Sequence, residues 1–285
     1  MNWSRAKTIL IILFLVLDAF LLVTLLQTRA VSMKISDEVI QKTAQVLNEH
    51  NILIRPEQIP KERVINRNVI MNHYFEEPAY QAEQMLTSPY ETVYADEGKH
   101  EYQFESNEAI LHIKGTSFTY KTKKEIYKDV ENQNRIYRDS SEKLAEMLQK
   151  MGFDKKTFTL ENVKLVDGIY SCEVVPLYKG IKIYGVRMSM TATQNEVVSL
   201  SGNWFVATGT EEFADEKLLD ITTVLLDLMY HPDFSSVQIS KIESGYLALE
   251  EYLSSREMAV IPVYVIVDSL NTYYYVDACT GEMIS

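Results

Sequence analysis

Residues 170–206 read YSCEVVPLYKGIKIYGVRMSMTATQNEVVSLSGNWFV, and this stretch decides the fold class. Tyr170–Tyr178 and Ile181–Ala192 are rich in β-branched and aromatic residues, and they flank Lys179-Gly180, a pair suited to a tight hairpin turn. A third strand, Glu196–Val206, follows Gln194-Asn195. Three strands joined by two short turns predict an antiparallel meander.

Upstream, residues 62–122 alternate and are rich in Tyr, Val and Ile. Strands are predicted at 91–95, 101–105 and 109–113, with Asp96-Glu97-Gly98 as a turn. A helix capped by Ser36 is predicted to about Glu49: Asp37 and Glu38 complement its positive end, Ile35 staples onto Ile40, and Ile40, Ala44, Leu47 and Asn51 share a face. Arg55-Pro56 then breaks the chain. A second helix, capped by Asp139 or Ser140, runs to Lys150 with Gly152 just past its end. A third is predicted from Asp215 to about Tyr230, closed by His231-Pro232. A short helix over Leu247–Ser254 and two closing strands, Val260–Val267 and Thr272–Ala278, complete the chain. Helix then strands occurs twice, and Thr43–Leu47 and Leu144–Leu148 occupy corresponding points. The expectation is an α+β protein of antiparallel sheets with helices packed on one side and a weak internal duplication, divided into regions 35–155 and 156–285.

The amino-terminal segment is of another kind. Thr8–Gln27 holds twenty residues, of which fifteen are Ile, Leu, Phe or Val and one, Asp18, is charged. About 20 apolar residues cross a bilayer core of about 30 Å. The fifteen favour insertion by about 4.5 to 9 kcal/mol, and Asp18 opposes it by about 2.5 to 3.5 kcal/mol, so insertion wins. A cleaved signal peptide would have a shorter apolar core and an A-x-A-like site, whereas the best candidate here is Thr28-Arg29-Ala30. Arg5 and Lys7 in the leader, residues 1–7, favour a cytoplasmic amino terminus with residues 30–285 extracytoplasmic. A carboxyl at mid-bilayer depth is normally shielded by a partner helix. Ile11, Leu15, Asp18, Leu22 and Leu25 form a stripe that would meet one.

The chain has 28 basic and 40 acidic residues; setting aside Arg5, Lys7, Arg29, Lys34 and Asp18 leaves 24 and 39 beyond residue 34, a net charge of −15. That disfavours nucleic acid and close apposition to anionic lipid. The two cysteines, Cys172 and Cys279, show neither CxxC nor zinc spacing, which leaves both a disulfide and two separate thiols open. No His pair has HxH or HxxxH spacing, although His100 and His112 lie near Glu101 and Glu105. No GxSxG, SxxK, P-loop or GxGxxG occurs. No catalytic residue, metal site or cofactor is assigned. Eighteen tyrosines suit half-buried strands and also allow stacking on glycan.

The opening Asn2-Trp3-Ser4-Arg5-Ala6-Lys7-Thr8-Ile9-Leu10, followed by a span with Asp18, resembles the start of the YycI (WalI) family. Tyr178–Gly185 is similar to that family's Y-x-G-x-P-I-F/Y turn, with Lys182 where Pro is common. Ile242–Tyr246 fits its I-x-x-G-Y element. Ile261–Tyr264 followed by Tyr274–Ala278 and Thr280–Glu282 fits P-A-W-x-I … Y-Y-V-N-A-x-x-G-E, with Tyr264 for Trp and Asp277 for Asn. The resemblance implies a non-enzymatic Gram-positive membrane regulator. It would act with a YycH-like sister protein on a WalK (YycG)-like sensor histidine kinase of the two-component system controlling cell-wall metabolism. The late hairpins also resemble the PepSY type, which implies a duplicated PepSY-like or YycH-like unit and keeps protease inhibition open. Wall-glycan binding is the remaining alternative.

Overall fold

The structure, a computed structural model, describes residues 14–15, 17–18, 34–61, 68–86, 89–124, 140–211 and 218–284. Most of the predicted span Thr8–Gln27 therefore lies outside the described residues, as does Asp139. No helix among the described residues is long and apolar enough to cross a membrane.

In chain order the elements are α1 (Asp37–Glu49), β1 (Asn68–His73), α2 (Pro78–Met85), β2 (Tyr90–Asp96), β3 (Glu101–Ser106), β4 (Ala109–Lys114), β5 (Ser117–Thr122), α3 (Ser140–Lys150), β6 (Phe158–Val166), β7 (Ile169–Tyr178), β8 (Ile181–Tyr184), β9 (Met188–Ala192), β10 (Val197–Asn203), β11 (Phe205–Glu211), α4 (Ile221–Leu228), β12 (Ile239–Leu247), β13 (Glu257–Asp268), β14 (Tyr273–Asp277) and β15 (Met283–Ile284). The protein is mixed α+β, dominated by antiparallel strands with few helices. It divides into two compact units. The larger comprises Ile65–Lys217 and Ser244–Tyr264; the smaller comprises Met1–Val64, Leu218–Glu243 and Val265–Ser285.

In the larger unit the ladder β2-β3-β4-β5-β10-β9-β7 is antiparallel throughout. Alternation selects its inner face: Ala109, Leu111 and Ile113 on β4 are buried, while Ile110 and His112 are half-buried on the other side. These residues join Met188, Met190, Leu200 and Trp204 in one core with Ala82 and Met85 of α2 and Leu144 and Leu148 of α3. A second cluster gathers Val69, Met71, Phe205 and Val260, from β1 and its neighbours β11 and β13, with Ile183 and Tyr246.

Two of the expected strands are broken. Ile181–Ala192 is two strands, β8 and β9, separated at Gly185, where φ is +85°. A Cβ at Gly185 would lie 2.3 Å from the Ala248 carbonyl oxygen, so the bend there requires glycine. The bend lets β8 pair in parallel with β12 while β9 continues along β7. Glu196–Val206 is likewise divided at Trp204 into β10 and β11, and the Trp204 carbonyl accepts from Tyr74 N–H at 2.9 Å.

In the smaller unit α1 starts where it is expected. Ser36 Oγ accepts from Val39 N–H at 3.4 Å, and Ile40, Thr43, Ala44 and Leu47 form the buried face. Helix α4 packs against α1 through its own buried face, which includes Val224, Leu225 and Leu228. It is shorter than predicted at the described end. Leu219 N–H is taken by the Ala278 carbonyl at 2.8 Å, which holds the backbone out of helix until Asp220, the N-cap position. The expected helix over Leu247–Ser254 is only a single 3₁₀ turn, Glu250–Tyr252.

Candidate functional site

Of the stripe Ile11, Leu15, Asp18, Leu22 and Leu25, only Leu15 and Asp18 are among the described residues. Both are helical and exposed, as are Phe14 and Leu17, so exposure alone does not single out a face. Ile11, Leu22 and Leu25 lie outside the described residues.

The larger unit contains a polar cluster that local pattern did not reveal. Val69, Met71, His73 and Phe75 are all buried, at the period of two that a strand imposes, so His73 occupies a core position. Its ring meets His100 edge-on, with centroids 5.9 Å apart, and Phe75 and Phe205 at 5.6 Å. His100 closes the β2–β3 turn with a positive φ of 49° and contacts Tyr102 at 5.3 Å. Each imidazole uses Nε2 on a backbone carbonyl: His73 on Thr116 at 2.8 Å, His100 on Phe75 at 3.1 Å. The Thr116 hydroxyl donates to the Leu253 carbonyl at 2.6 Å, and His73 N–H donates to the Arg256 carbonyl at 2.8 Å. One histidine pair thus ties β1, two hairpin turns and the segment before β13.

The chemistry follows from these partners. A carbonyl oxygen only accepts, so both Nε2 atoms carry the hydrogen and, in the neutral rings, both Nδ1 atoms carry lone pairs. His73 Nδ1 is buried and meets no hydrogen-bond partner among the described residues. Burial, reinforced by nearby His100 and Arg256 and opposed by the Thr116 hydrogen bond, pushes the His73 pKa down to about 4. Burial and Arg256 also lower that of His100. A base this weak is poorly matched to proton abstraction at neutral pH. The Thr116 hydroxyl gives its proton to Leu253, not to a histidine. The arrangement serves as a cross-link between loops.

The strands separate the histidines that sequence placed near carboxylates. His112 Nε2 lies 3.5 Å from Glu101, which also meets Lys114 at 3.8 Å, while His100 turns to His73 and Glu105 pairs with Lys123. Among the described residues no group of three or more His, Cys, Asp or Glu is placed to hold a metal. No disulfide joins Cys172 to Cys279; Cys172 is in the core, and burial pushes its thiol up to about 11.

The motif residues do structural work. Lys179 and Gly180 both have positive φ and form the β7–β8 turn. Lys182 reaches Glu161 at 2.6 Å. Gly245 leaves room for the Tyr184 ring: a Cβ there would sit 2.5 Å from Cε2. The second motif thereby meets the first, with Tyr246 opposite Ile183 and Leu247 opposite Tyr184. In the smaller unit Asp277 Oδ1 accepts from the Cys279 and Thr280 N–H groups at 2.6 and 3.1 Å. An asparagine oxygen would accept the same two bonds. Tyr273, half-exposed, stacks beside Tyr275 on β14 with centroids 6.5 Å apart.

No protein-family model and no curated protein matches the chain. Solved structures similar to it include an uncharacterized protein from Eubacterium rectale, at 14% identity and a TM-score of 0.46, covering 80% of this chain and 88% of that one. The C-terminal domain of YpeB from Bacillus megaterium matches at 12% identity and a TM-score of 0.42, over 73% of this chain and 93% of that one. YycH from Bacillus subtilis matches at 11% identity and a TM-score of 0.35, over 79% of this chain and 54% of that one.

Proposed function

We propose that the chain is a membrane-anchored, non-enzymatic accessory protein that biases a sensor histidine kinase of the WalK type. It would act together with a YycH-like sister and leave residues 30–285 outside the membrane. The observation that carries this reading is the span Thr8–Gln27 with its single central charge. An inert anchor has no use for a carboxyl at that depth, whereas a helix docked on another helix has. The residues resembling the YycI opening lie in and just before this same span. The stripe Ile11, Leu15, Asp18, Leu22 and Leu25 is the docking face, and Asp18 supplies a polar contact in hydrocarbon.

Such contacts contribute about 0.6 kcal/mol on average and up to about 1.7 kcal/mol. That suffices to tilt a kinase whose two states differ by a few kcal/mol, provided that Asp18 meets one state better than the other. The test is Asp18→Leu in the native membrane. The variant inserts, protease added to intact protoplasts still digests the outer region, and unfolding of that region is unchanged. Cross-linking between spans weakens and kinase output shifts. Unaltered cross-linking and output would reduce the span to an anchor.

A further inference from the structure

The smaller unit contains a groove of about 340 Å³ whose lining includes Asn48, Leu53, Arg55, Gln58, Gln238 and Ser240. We propose that this groove binds a small monoanion with an apolar arm, of the kind that the C-terminal residue of a peptide presents. Arg55 would hold the carboxylate.

The walls are fixed by their own hydrogen bonds. Asn48 Nδ2 donates to the Ala44 and Ile54 carbonyls at 2.7 and 3.0 Å, and its Oδ1 accepts from Ile54 N–H at 3.2 Å. Gln58 Nε2 donates to the Ile239 and Ser240 carbonyls at 3.0 and 2.8 Å, and its Oε1 accepts from Arg55 N–H at 2.7 Å. Ser240 Oγ faces the Val267 and Asp268 carbonyls, both at 2.9 Å. Both amides thus have their hydrogens committed to backbone. Leu53 is fixed by its backbone, bridging Gln238 in parallel, with its N–H on the Val237 carbonyl and its own carbonyl taking Ile239 N–H, both at 2.9 Å.

The groups left over define the ligand. The Arg55 guanidinium and the Gln238 amide make no side-chain hydrogen bond or ion pair among the described residues. No carboxylate lines the groove. A guanidinium presents a planar fork that matches a carboxylate with two parallel hydrogen bonds. Gln238 offers a donor and an acceptor to a neighbouring peptide unit. The Leu53 side chain is 52% exposed and supplies an apolar wall. The volume is at the low end for small-molecule sites, about 300–1,000 Å³, which suits one or two residues rather than a long segment. The acidic chain repels anions at long range, so occupancy depends on local recognition.

The experiment uses the full chain in lipid nanodiscs and isothermal titration with three probes: N-acetyl-alanyl-leucine with a free carboxylate, its C-terminal amide, and inorganic phosphate. The carboxylate peptide binds with a Kd of about 1 mM, within the bound that its size sets. The amide binds at least tenfold more weakly, and phosphate neither matches nor displaces the peptide. Arg55→Gln weakens the carboxylate peptide by the same tenfold with its melting temperature unchanged, and Arg55→Lys recovers part of the loss. Equal binding of carboxylate and amide overturns the proposal without reference to any variant. So does phosphate binding as tightly as the peptide, or parental affinity in Arg55→Gln.

Discussion

The two units are held together in different ways. The larger is a set of ladders, antiparallel except where β8 meets β12, over an apolar core in which Trp204, Phe75, Leu111, Leu148 and Val174 are almost wholly buried. Among its described residues the smaller has fewer strands, and polar side chains bond the backbone at several points in it. Asn48 offers Ile54 an acceptor and a donor, as an adjacent strand would, Gln58 closes onto the Ile239 and Ser240 carbonyls, and Asp268 Oδ1 gathers the Leu270 and Thr272 N–H groups at 2.8 Å each. A ladder spreads its strength over many equivalent bonds, so its weak points are volume and sterics. A unit closed by side-chain amides concentrates its risk in single polar atoms. The substitutions that matter should therefore differ in kind between the units.

The largest effect is expected in the apolar core. Trp204 is 1% exposed and meets the Phe153 ring edge-on at 5.9 Å. Trp204→Ala removes the indole from a site between two strands that cannot close fully around the gap, and the expected loss is about 4 kcal/mol. Chemical denaturation measures it, and hydrogen exchange should quicken first in β9 and β10. A loss below about 1 kcal/mol would mean that ladder bonds, not packing, carry the larger unit.

The histidine pair is the exception inside the larger unit, a polar device in an apolar setting. Its contribution depends on pH. His73 moves from 6.5 in the unfolded chain to about 4 when folded. The unfolded chain therefore takes up the proton first as pH falls. The stabilisation is complete above pH 6.5 and drains away between 6.5 and about 4. At about 1.36 kcal/mol per pH unit, the loss over that window is about 3 kcal/mol. His100, shifted the same way, adds to the same slope. Denaturant midpoints measured from pH 7.5 to 4 should fall along this course, and His73→Gln should flatten it by one proton. An unchanged slope in the variant would assign the acid sensitivity to other groups.

Where the chain's own pattern determines structure, the sequence shows it. Helix α1 follows from Ser36, two acidic residues and a regular apolar face, and β2, β3 and β4 follow from alternation around Asp96-Glu97-Gly98. Other elements depend on partners distant in sequence. Leu218 and Leu219 look helical, but the Ala278 carbonyl holds Leu219 extended. The bend at Gly185 answers the Ala248 backbone, 63 positions on. Strand β6 has no clear local pattern because Asn162, with φ of +53°, sits where its register with β7 shifts and interrupts the alternation. Helix α2 is short and buries Gln81 beside Ala82 and Met85, so it has no clean apolar stripe. His73 carried a local signal, a polar residue in the inward row of Val69, Met71 and Phe75. Its acceptor is the carbonyl of Thr116, 43 positions away, and no local reading could supply it. The Arg55 groove is equally non-local, since Gln238 and Ser240 come from the other end of the chain.

The smallest of the three effects tests the amide-closed unit directly. Asn48 is on the surface, and a view based on burial would treat its replacement as harmless. Its side chain nevertheless satisfies both backbone groups of Ile54, a residue only 4% exposed, as well as the Ala44 carbonyl. Asn48→Ala leaves the Ile54 N–H and carbonyl without those partners. An abandoned buried polar group costs about 1–3 kcal/mol, and water reaching the helix end offsets part of this, so the expected loss is about 2 kcal/mol. Asn48→Asp restores the acceptor for Ile54 N–H but turns an anionic oxygen toward two carbonyls, and it should recover little. The control is Gln45→Ala on the same helix, which removes only a bond to Glu49 in solvent and should cost less than about 0.5 kcal/mol. If Asn48→Ala and Gln45→Ala are indistinguishable, and exchange at the Ile54 amide is no faster, the smaller unit is held by its helix packing like any other core. The contrast between the two units would then dissolve.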